Sequence, residues 1–169
     1  HMSKILISHT NFANVPSACL KLAGQNISQY FIVSDNYFVE GLSPWPVSIG
    51  PQDYRPEAWQ HILQVIVERN IWEDGDIAVQ SRGADDVTVR NNIVRGPGYL
   101  VDLTDPVPNY TTWTNWKVYN NIISNPSSFG RLVYGDSSIS PIGLVVKNNV
   151  IYAPTDIFYT NLIKLINGT

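Results

Sequence analysis

Three aspartates and one arginine are the residues of this chain whose types could carry acid–base chemistry. Asp76, Asp102 and Asp136 lie within or beside short apolar segments, and Arg82 follows one of these segments closely. Two carboxylates held on either side of a glycosidic bond act as general acid and as base or nucleophile. Carboxylate oxygens also bind Ca²⁺, which makes calcium the one cofactor that these residues would suit. An arginine beside them would neutralise an acidic sugar.

The same aspartates have a simpler interpretation. Asp and Gly are common in turns, and Asp74-Gly75-Asp76 makes a satisfactory turn without any chemistry. Asp102 lies in the centre of the apolar triplet Val101-Asp102-Leu103, where it would be solvated strand surface. Whether the chain holds a catalytic set therefore depends on the elements that position these residues.

Aromatic residues indicate a second kind of chemistry, the stacking of flat rings on sugars. Such rings suit sugar faces when Asn and Asp beside them bind the hydroxyl groups. The alternative is that Trp59 and Trp113 fold back and cover their own segments. The residues predicted to bind carbohydrate, with one lysine that would contact an acidic sugar, are Tyr54, Trp59, Tyr110, Trp113 and Lys164.

A repeated asparagine pair predicts the scaffold. Residues 87–94 read as strand, Asn-Asn, strand, and the pattern returns at 116–123 and 144–151 with weaker copies upstream. Asn tolerates the left-handed conformation of a tight bend, and its amide both donates and accepts. Stacked copies can therefore bond to one another along a coil, whereas ordinary turns of a meander would not need six copies. The last Asn of the six copies lies at 11, 36, 70, 92, 121 and 149. The predicted structural ladder is Asn36, Asn70, Asn92, Asn121 and Asn149.

A second set of short strands follows each asparagine bend, so each repeat holds two long strands and one brief strand. Equivalent strands run in the same direction and stack in parallel. The prediction is an all-β solenoid, a parallel β-helix of about six rungs that covers residues 3–169. Its second set of strands has a predicted outward row of Lys21, Ser48, Ala78, Asp102, Val133 and Lys164.

The first set of strands carries an apolar outward row. Such a strip on a solvated face predicts contact with another chain, so we expect self-association as a trimer or by end-to-end stacking. The apolar row is predicted as Ile7, Ile32, Ile66, Thr88, Lys117 and Val145. The next row, in which Glu68 and Arg90 can pair, is predicted as His9, Ser34, Glu68, Arg90, Tyr119 and Lys147.

This pattern resembles the right-handed parallel β-helix of the pectate-lyase-like superfamily, whose members carry asparagine ladders at such bends. The resemblance implies a polysaccharide groove along the second set of strands and a lyase, glycoside hydrolase or uronate epimerase activity. It equally implies a structural or oligomerising segment of a trimeric fibre, such as a phage tailspike. Asp74-Gly75-Asp76-Ile77 with Asp85-Asp86 is similar to the paired-Asp motifs of polygalacturonase-like hydrolases. The Gly-His-Gly and Arg-Ile-Lys elements that complete those sites are missing.

The composition of the chain limits the classes of protein to which it can belong. The chain has 169 residues, 44% of them hydrophobic, which is enough for one domain with a continuous core. A net charge of −3 disfavours unaided binding of nucleic acid, and no apolar run is long enough to span a membrane. His1-Met2 has the sequence of an expression-tag remnant. Residues 3–169 are predicted to be either a complete domain or a fragment of a longer β-helix. The resemblance implies an extracellular, cell-surface or virion-associated location.

Overall fold

Parallel β-strands make up the regular structure of the described residues. The computed structural model describes residues 3–13, 20–22, 29–39, 46–50, 62–74, 77–81, 84–96, 98–103, 112–125, 131–135, 140–152 and 163–165. Each described strand pairs in parallel with the equivalent strand of the next repeat, and the strands form three six-stranded sheets and one two-stranded sheet. The prediction of an all-β chain with parallel strands stacked in sheets is confirmed, and this arrangement is consistent with a β-solenoid.

The chain visits the three large sheets in turn. Sheet A, in spatial order, consists of β1 (Ser3–Ser8), β4 (Gln29–Ser34), β7 (Ile62–Glu68), β10 (Ala84–Arg90), β14 (Lys117–Tyr119) and β18 (Val145–Lys147). Sheet B consists of β2 (Asn11–Ala13), β5 (Tyr37–Val39), β8 (Ile71–Glu73), β11 (Ile93–Arg95), β15 (Ile122–Ser124) and β19 (Val150–Tyr152). Sheet C consists of β3 (Leu20–Leu22), β6 (Val47–Ile49), β9 (Ile77–Ser81), β12 (Tyr99–Leu103), β16 (Arg131–Gly135) and β20 (Ile163–Leu165). The small sheet pairs β13 (Thr112–Thr114) with β17 (Ser140–Ile142).

Like residues stack on like residues in the core. On sheet B the rings of Phe12 and Phe38 lie 4.8 Å apart and nearly parallel, and the ring of Trp72 follows at 5.2 Å from Phe38. On sheet A one inward row is formed by Val33, Val67, Val89 and Val118, all fully buried. Burial of each such valine stabilises the fold by roughly 1.5–3 kcal/mol. The apolar positions that alternate in the sequence therefore become continuous rows inside the coil.

The first repeat has a different register from the predicted one. Leu6, rather than Ile7, pairs with Ile32 in the outward row of sheet A. Ile7 packs against the core instead. Ser8 pairs with Ser34, so it occupies the place that was predicted for His9. In this repeat Thr10 occupies the column position, and the asparagine that follows it, Asn11, shifts the predicted register by one residue.

The outward row of sheet C also differs from the predicted one. Asp102 pairs with Gln80 on one side and with Tyr134 on the other, not with Ala78 and Val133. Ala78 and Val133 are both buried members of the hydrophobic core. The predicted row is offset by one residue in β16, where Val133 precedes Tyr134, and by two residues in β9, where Ala78 precedes Gln80. The observed row is Lys21, Ser48, Gln80, Asp102, Tyr134 and Lys164.

Left-handed residues make the bend between sheets A and B. In each asparagine pair the first residue has a positive φ, as at Asn91 and Asn120 with 55°. The second residue, Asn92 or Asn121, points its side chain into the coil and is fully buried. The pair therefore divides two tasks, a strained backbone turn and a set of side-chain hydrogen bonds. The same left-handed bend is made by His9, Asp35, Arg69 and Asn148 in the other repeats.

Candidate functional site

A column of asparagine side chains fills the corner between sheets A and B. Oδ1 of Asn92 accepts hydrogen bonds from the backbone N–H of Asn70 at 3.0 Å and from its Nδ2 at 3.2 Å. Nδ2 of Asn92 donates to the carbonyl of Val67 at 2.9 Å and to Oδ1 of Asn121 at 3.0 Å. These bonds use the side-chain amide of Asn92 fully, so it has no free hydrogen-bonding capacity for a ligand. Asn36, Asn70 and Asn121 likewise donate both to a backbone carbonyl and to the asparagine of the next repeat, and Asn149 ends the column with a donation to the carbonyl of Val118.

The first repeat contributes a threonine to this column. The backbone N–H of Thr10 donates to Oδ1 of Asn36 at 3.1 Å. Asn11, which was predicted as the marker of this repeat, instead pairs with Tyr37 in sheet B. Thr10 has no side-chain amide, so it contributes only its backbone N–H to the column.

A line of charged residues lies on the outer surface of the same corner. Glu68 accepts hydrogen bonds from Arg69 and from Arg90, both at 2.6 Å, and the predicted pair of Glu68 and Arg90 is thereby confirmed. Arg69 also forms a two-point contact with Asp35 at 2.7 and 2.8 Å. Arg90 donates a further bond to the hydroxyl of Tyr119. Both arginines are engaged by partners of their own, so this surface offers an acidic ligand little free charge.

These contacts change the acidity of the groups. The hydrogen bond from Arg69 is the largest cause that lowers the pKa of Asp35 below its usual value of 3.8. The hydrogen bond with Tyr119, followed by that with Glu68, raises the pKa of Arg90. Asp35 and Arg69 remain partly exposed, so water weakens their interaction and its effect on stability stays small.

The outward row of sheet C is polar and largely covered. Ser48, Gln80 and Asp102 occupy outward positions of their strands, yet all three are buried. Asp102 is only 4% exposed, which corrects the expectation of a solvated strand surface. A carboxyl group in such a place carries a desolvation cost that an exposed turn aspartate does not. The burial of Asp102 within a strand therefore sets it apart from an ordinary turn aspartate.

Two tyrosines and an arginine lie next to this row. The rings of Tyr99 and Tyr134 are stacked, with centroids 5.1 Å apart and 17° between the planes. The guanidinium carbon of Arg131 lies 5.4 Å from the centre of the Tyr99 ring and 5.3 Å from that of Tyr134. Its Nη1 donates to the hydroxyl of Tyr99 at 3.1 Å. All three side chains are half-buried, so a rigid aromatic and cationic surface remains open to solvent beside Asp102.

The sequence carried a weak signal for this group. Tyr134 ends the apolar triplet of its strand, and Arg131 lies three residues before it. The predicted outward row of sheet C contains Val133 in this strand and therefore includes neither Tyr134 nor Arg131. The pairing of Tyr134 with Asp102 brings them to the site.

Trp113 lies inside the molecule rather than in a binding surface. It is completely buried, and its Nε1 donates to Oγ of Ser81 at 3.2 Å. Trp116 is also completely buried, and its Nε1 donates to the carbonyl of Ala84 at 2.9 Å. This burial corrects the expectation that Trp113 offers its ring to a sugar.

The other predicted site residues are not brought together within the described part of the chain. Lys164 lies in β20 at the end of the row and pairs with Tyr134. Within the described ranges, no group of three or more His, Cys, Asp or Glu residues could hold a metal ion. The predicted residues that lie outside the described ranges are Asp76, Arg82 and Asp136, together with Tyr54, Trp59 and Tyr110.

Comparison of the chain with protein-family models, with curated proteins and with solved structures finds no match. Among the described residues, none belongs to a helix long and apolar enough to cross a membrane. The function must therefore be argued from the surfaces of the molecule itself.

Proposed function

We propose that the chain is a right-handed parallel β-helix of about six rungs that binds an extracellular polysaccharide along the outward row of sheet C. The three parallel sheets and the asparagine hydrogen bonds support the β-helix, in which the column acts as an asparagine ladder. The expected location is extracellular, on a cell surface or on a virion. A similarity in pattern to the pectate-lyase-like superfamily supports the choice of a polysaccharide.

The stacked pair of Tyr99 and Tyr134 under Arg131 carries the proposal. Flat rings provide area for a sugar face, and the fixed cation favours a carboxylate on that sugar. Gln80 and Asp102 lie in the same row of sheet C as Tyr134, and both are buried, so the exposed surface for a sugar is formed by the two tyrosines and Arg131. Aromatic and hydrogen-bonding groups along one parallel sheet match the needs of a chain of sugars better than those of an apolar ligand.

Asp102 is the residue to which we assign a catalytic role if the protein is an enzyme. It would act as base or acid in a lyase, hydrolase or epimerase reaction, or as a ligand of calcium. Asp76, Arg82 and Asp136 remain its proposed partners. A carboxylate that shifts protons has no functional amide substitute, so Asp102→Asn should abolish turnover while binding persists. If the protein is a binding module, the same variant should show unchanged or mildly weaker binding, and the parent should show no turnover.

The binding surface can be tested with a matched pair of tyrosines. A ring stacked on a sugar contributes about 0.5–1.5 kcal/mol beyond its buried area. Tyr134→Ala should therefore weaken binding of a polysaccharide roughly two- to twelvefold. Tyr119→Ala is the control, because Tyr119 also lies beside a cation, Lys147, but on sheet A.

The measurement is calorimetric titration against neutral and acidic polysaccharides, with and without calcium. Acidic chains should bind more tightly than neutral ones, and Tyr119→Ala should match the parent. If no polysaccharide binds or is converted, or if both tyrosine variants lose affinity equally, the proposed site is wrong.

A structural segment of a trimeric fibre is the second candidate. The observation that favours it is the outward row of sheet A, where Leu6 is 58% exposed beside Ile32 and Ile66. Leu6 replaces Ile7 of the predicted row. A trimer that falls apart when Ile32 and Ile66 are both changed to Lys would support this candidate, and a trimer that persists would exclude it.

A further inference from the structure

The outward face of sheet B is more continuously apolar than that of sheet A. Each strand of sheet B has three residues, of which the first and the third face outward and the middle one faces the core. On five consecutive strands the first position is apolar or aromatic. This row, which we call the sheet B stripe, consists of Tyr37, Ile71, Ile93, Ile122 and Val150.

The stripe faces solvent over its whole length. Ile122 and Val150 are 41% and 53% exposed, and Ile71 and Ile93 are half-buried. Neighbours in the same row lie only about 4.8 Å away, so each side chain shades the next even when all of them face outward. The stripe follows the asparagine column directly, because each member comes immediately after a column residue. A run of branched apolar residues over about 20 Å is unusual for a face in contact with water alone.

The charged residues beside the stripe are complementary to those of a second copy. In the adjacent outward row Glu73 and Arg95 lie on the two middle strands and form an ion pair at 2.5 Å. A two-fold axis that lies in the interface, parallel to the strands and midway between β8 and β11, brings Glu73 opposite Arg95 of a second copy and Arg95 opposite its Glu73. The same operation brings small Ala13 opposite large Tyr152, at opposite ends of the sheet. A two-fold axis along the stack would instead place each strand opposite its own copy, so that Glu73 would no longer lie opposite Arg95.

We infer that the sheet B stripe is a dimer interface, in which two copies of this chain pack face to face with their strand stacks antiparallel. The stripe of one copy covers the stripe of the other, with Ile71 against the partner's Ile93. Sheets packed in this way lie about 10 Å apart. Two outward residues per strand give a small interface compared with a standard one of about 1,600 Å², so the dimer is weak and reversible. It leaves sheet C uncovered and is independent of the proposed sugar site.

Sedimentation velocity over a concentration series tests this association. The mass of the chain should rise from one copy to two, and Ile93→Lys should lower the association constant at least tenfold because it places a charge in the centre of the stripe. Thr88→Lys is the control, since Thr88 has a comparable half-buried place in sheet A, and it should leave the constant unchanged. A monomer at all concentrations, a trimer, or equal loss in both variants would overturn the inference.

Cross-linking tests the antiparallel orientation without a charge in the stripe. The two-fold axis brings Val39 opposite Ser124 of the partner, whereas two copies of Val39 are then separated by three strand spacings, about 14 Å along the stack. In a Cys19→Ser background, Val39→Cys mixed with Ser124→Cys should be joined by a bismaleimide that spans about 10 Å. Neither variant alone should be joined. Self-joining of Val39→Cys would indicate a parallel pair, and no joining in the mixture would exclude the interface; both results contradict the inference. End-to-end stacking also predicts no joining, because it keeps both positions away from the contact.

Discussion

The corner between sheets A and B and the outward row of sheet C both bury polar side chains, but they do so in different ways. At the corner one residue type recurs, and each amide bonds to an identical amide on the next strand. In the outward row of sheet C the buried side chains are all different: a serine, a glutamine and an aspartate. Repetition of one residue type lets each buried amide find its hydrogen-bond partner on the next strand, and this stabilises the fold. A row whose members differ from strand to strand can instead be shaped to one ligand.

The largest effect is expected at Trp113 of β13, whose indole bonds to a residue of sheet C. Trp113 is completely buried and bonds to Ser81, so we expect Trp113→Ala to lower the free energy of unfolding by about 3–5 kcal/mol. Trp113→Phe keeps most of the packing and loses the hydrogen bond, so its loss should be clearly smaller. Urea unfolding followed by tryptophan fluorescence measures both. Stability unchanged in Trp113→Ala, with weaker sugar binding, would restore Trp113 to the binding surface.

A smaller effect is expected at the corner, where two adjacent asparagines have different roles. Asn121→Ala leaves the N–H of Asn92 and the carbonyl of Val89 without their partner, and should destabilise the protein by about 1–3 kcal/mol. Asn120→Gly should cost less than about 1 kcal/mol, because Gly adopts the observed φ of 55° without strain. Thermal unfolding of both variants checks this difference. Equal losses would mean that the column bonds contribute nothing beyond the bend itself.

The smallest effect is expected on the outer surface of the corner. The pKa of Asp35 is lowered in the folded protein, chiefly by Arg69, so the contact stabilises the fold at pH values above 3.8 and this gain is lost as the pH falls below that value. Because both groups are partly exposed, water screens the contact and the gain should be smaller than the effects expected at Trp113 and Asn121. Unfolding measured from pH 6 to pH 3 should show a shallower loss of stability for Asp35→Asn than for the parent. Identical pH profiles would contradict the contact.

Local signals in the sequence were enough to predict the strands and the column residues from Asn36 onward. An asparagine pair between two apolar segments requires only a bend and a partner at the same bend of the next repeat. The pair therefore marks the register wherever it occurs. In the first repeat the column position is held by Thr10 and the asparagine stands one residue later, so the pattern predicts Asn11 instead of Thr10.

The candidate site was less predictable, because it depends on the phase of sheet C. No residue marks the bend before β9, β12 or β16, so Ala78 and Val133 appeared as suitable for the outward row as Gln80 and Tyr134. Only pairing with Asp102 decided between them. The group of Tyr99, Arg131 and Tyr134 joins residues from two strands, and no spacing along one strand indicates that contact.

By itself the sequence determined that this protein stacks parallel strands in a repeating order, since alternation and asparagine pairs act over a few residues. Only the tertiary structure decided which residues face out of sheet C, that Trp113 is interior, and that the residues after the column form one apolar stripe. Those properties depend on which strand lies beside which, at which offset. A shift of one residue in a strand reverses every side chain from one face to the other.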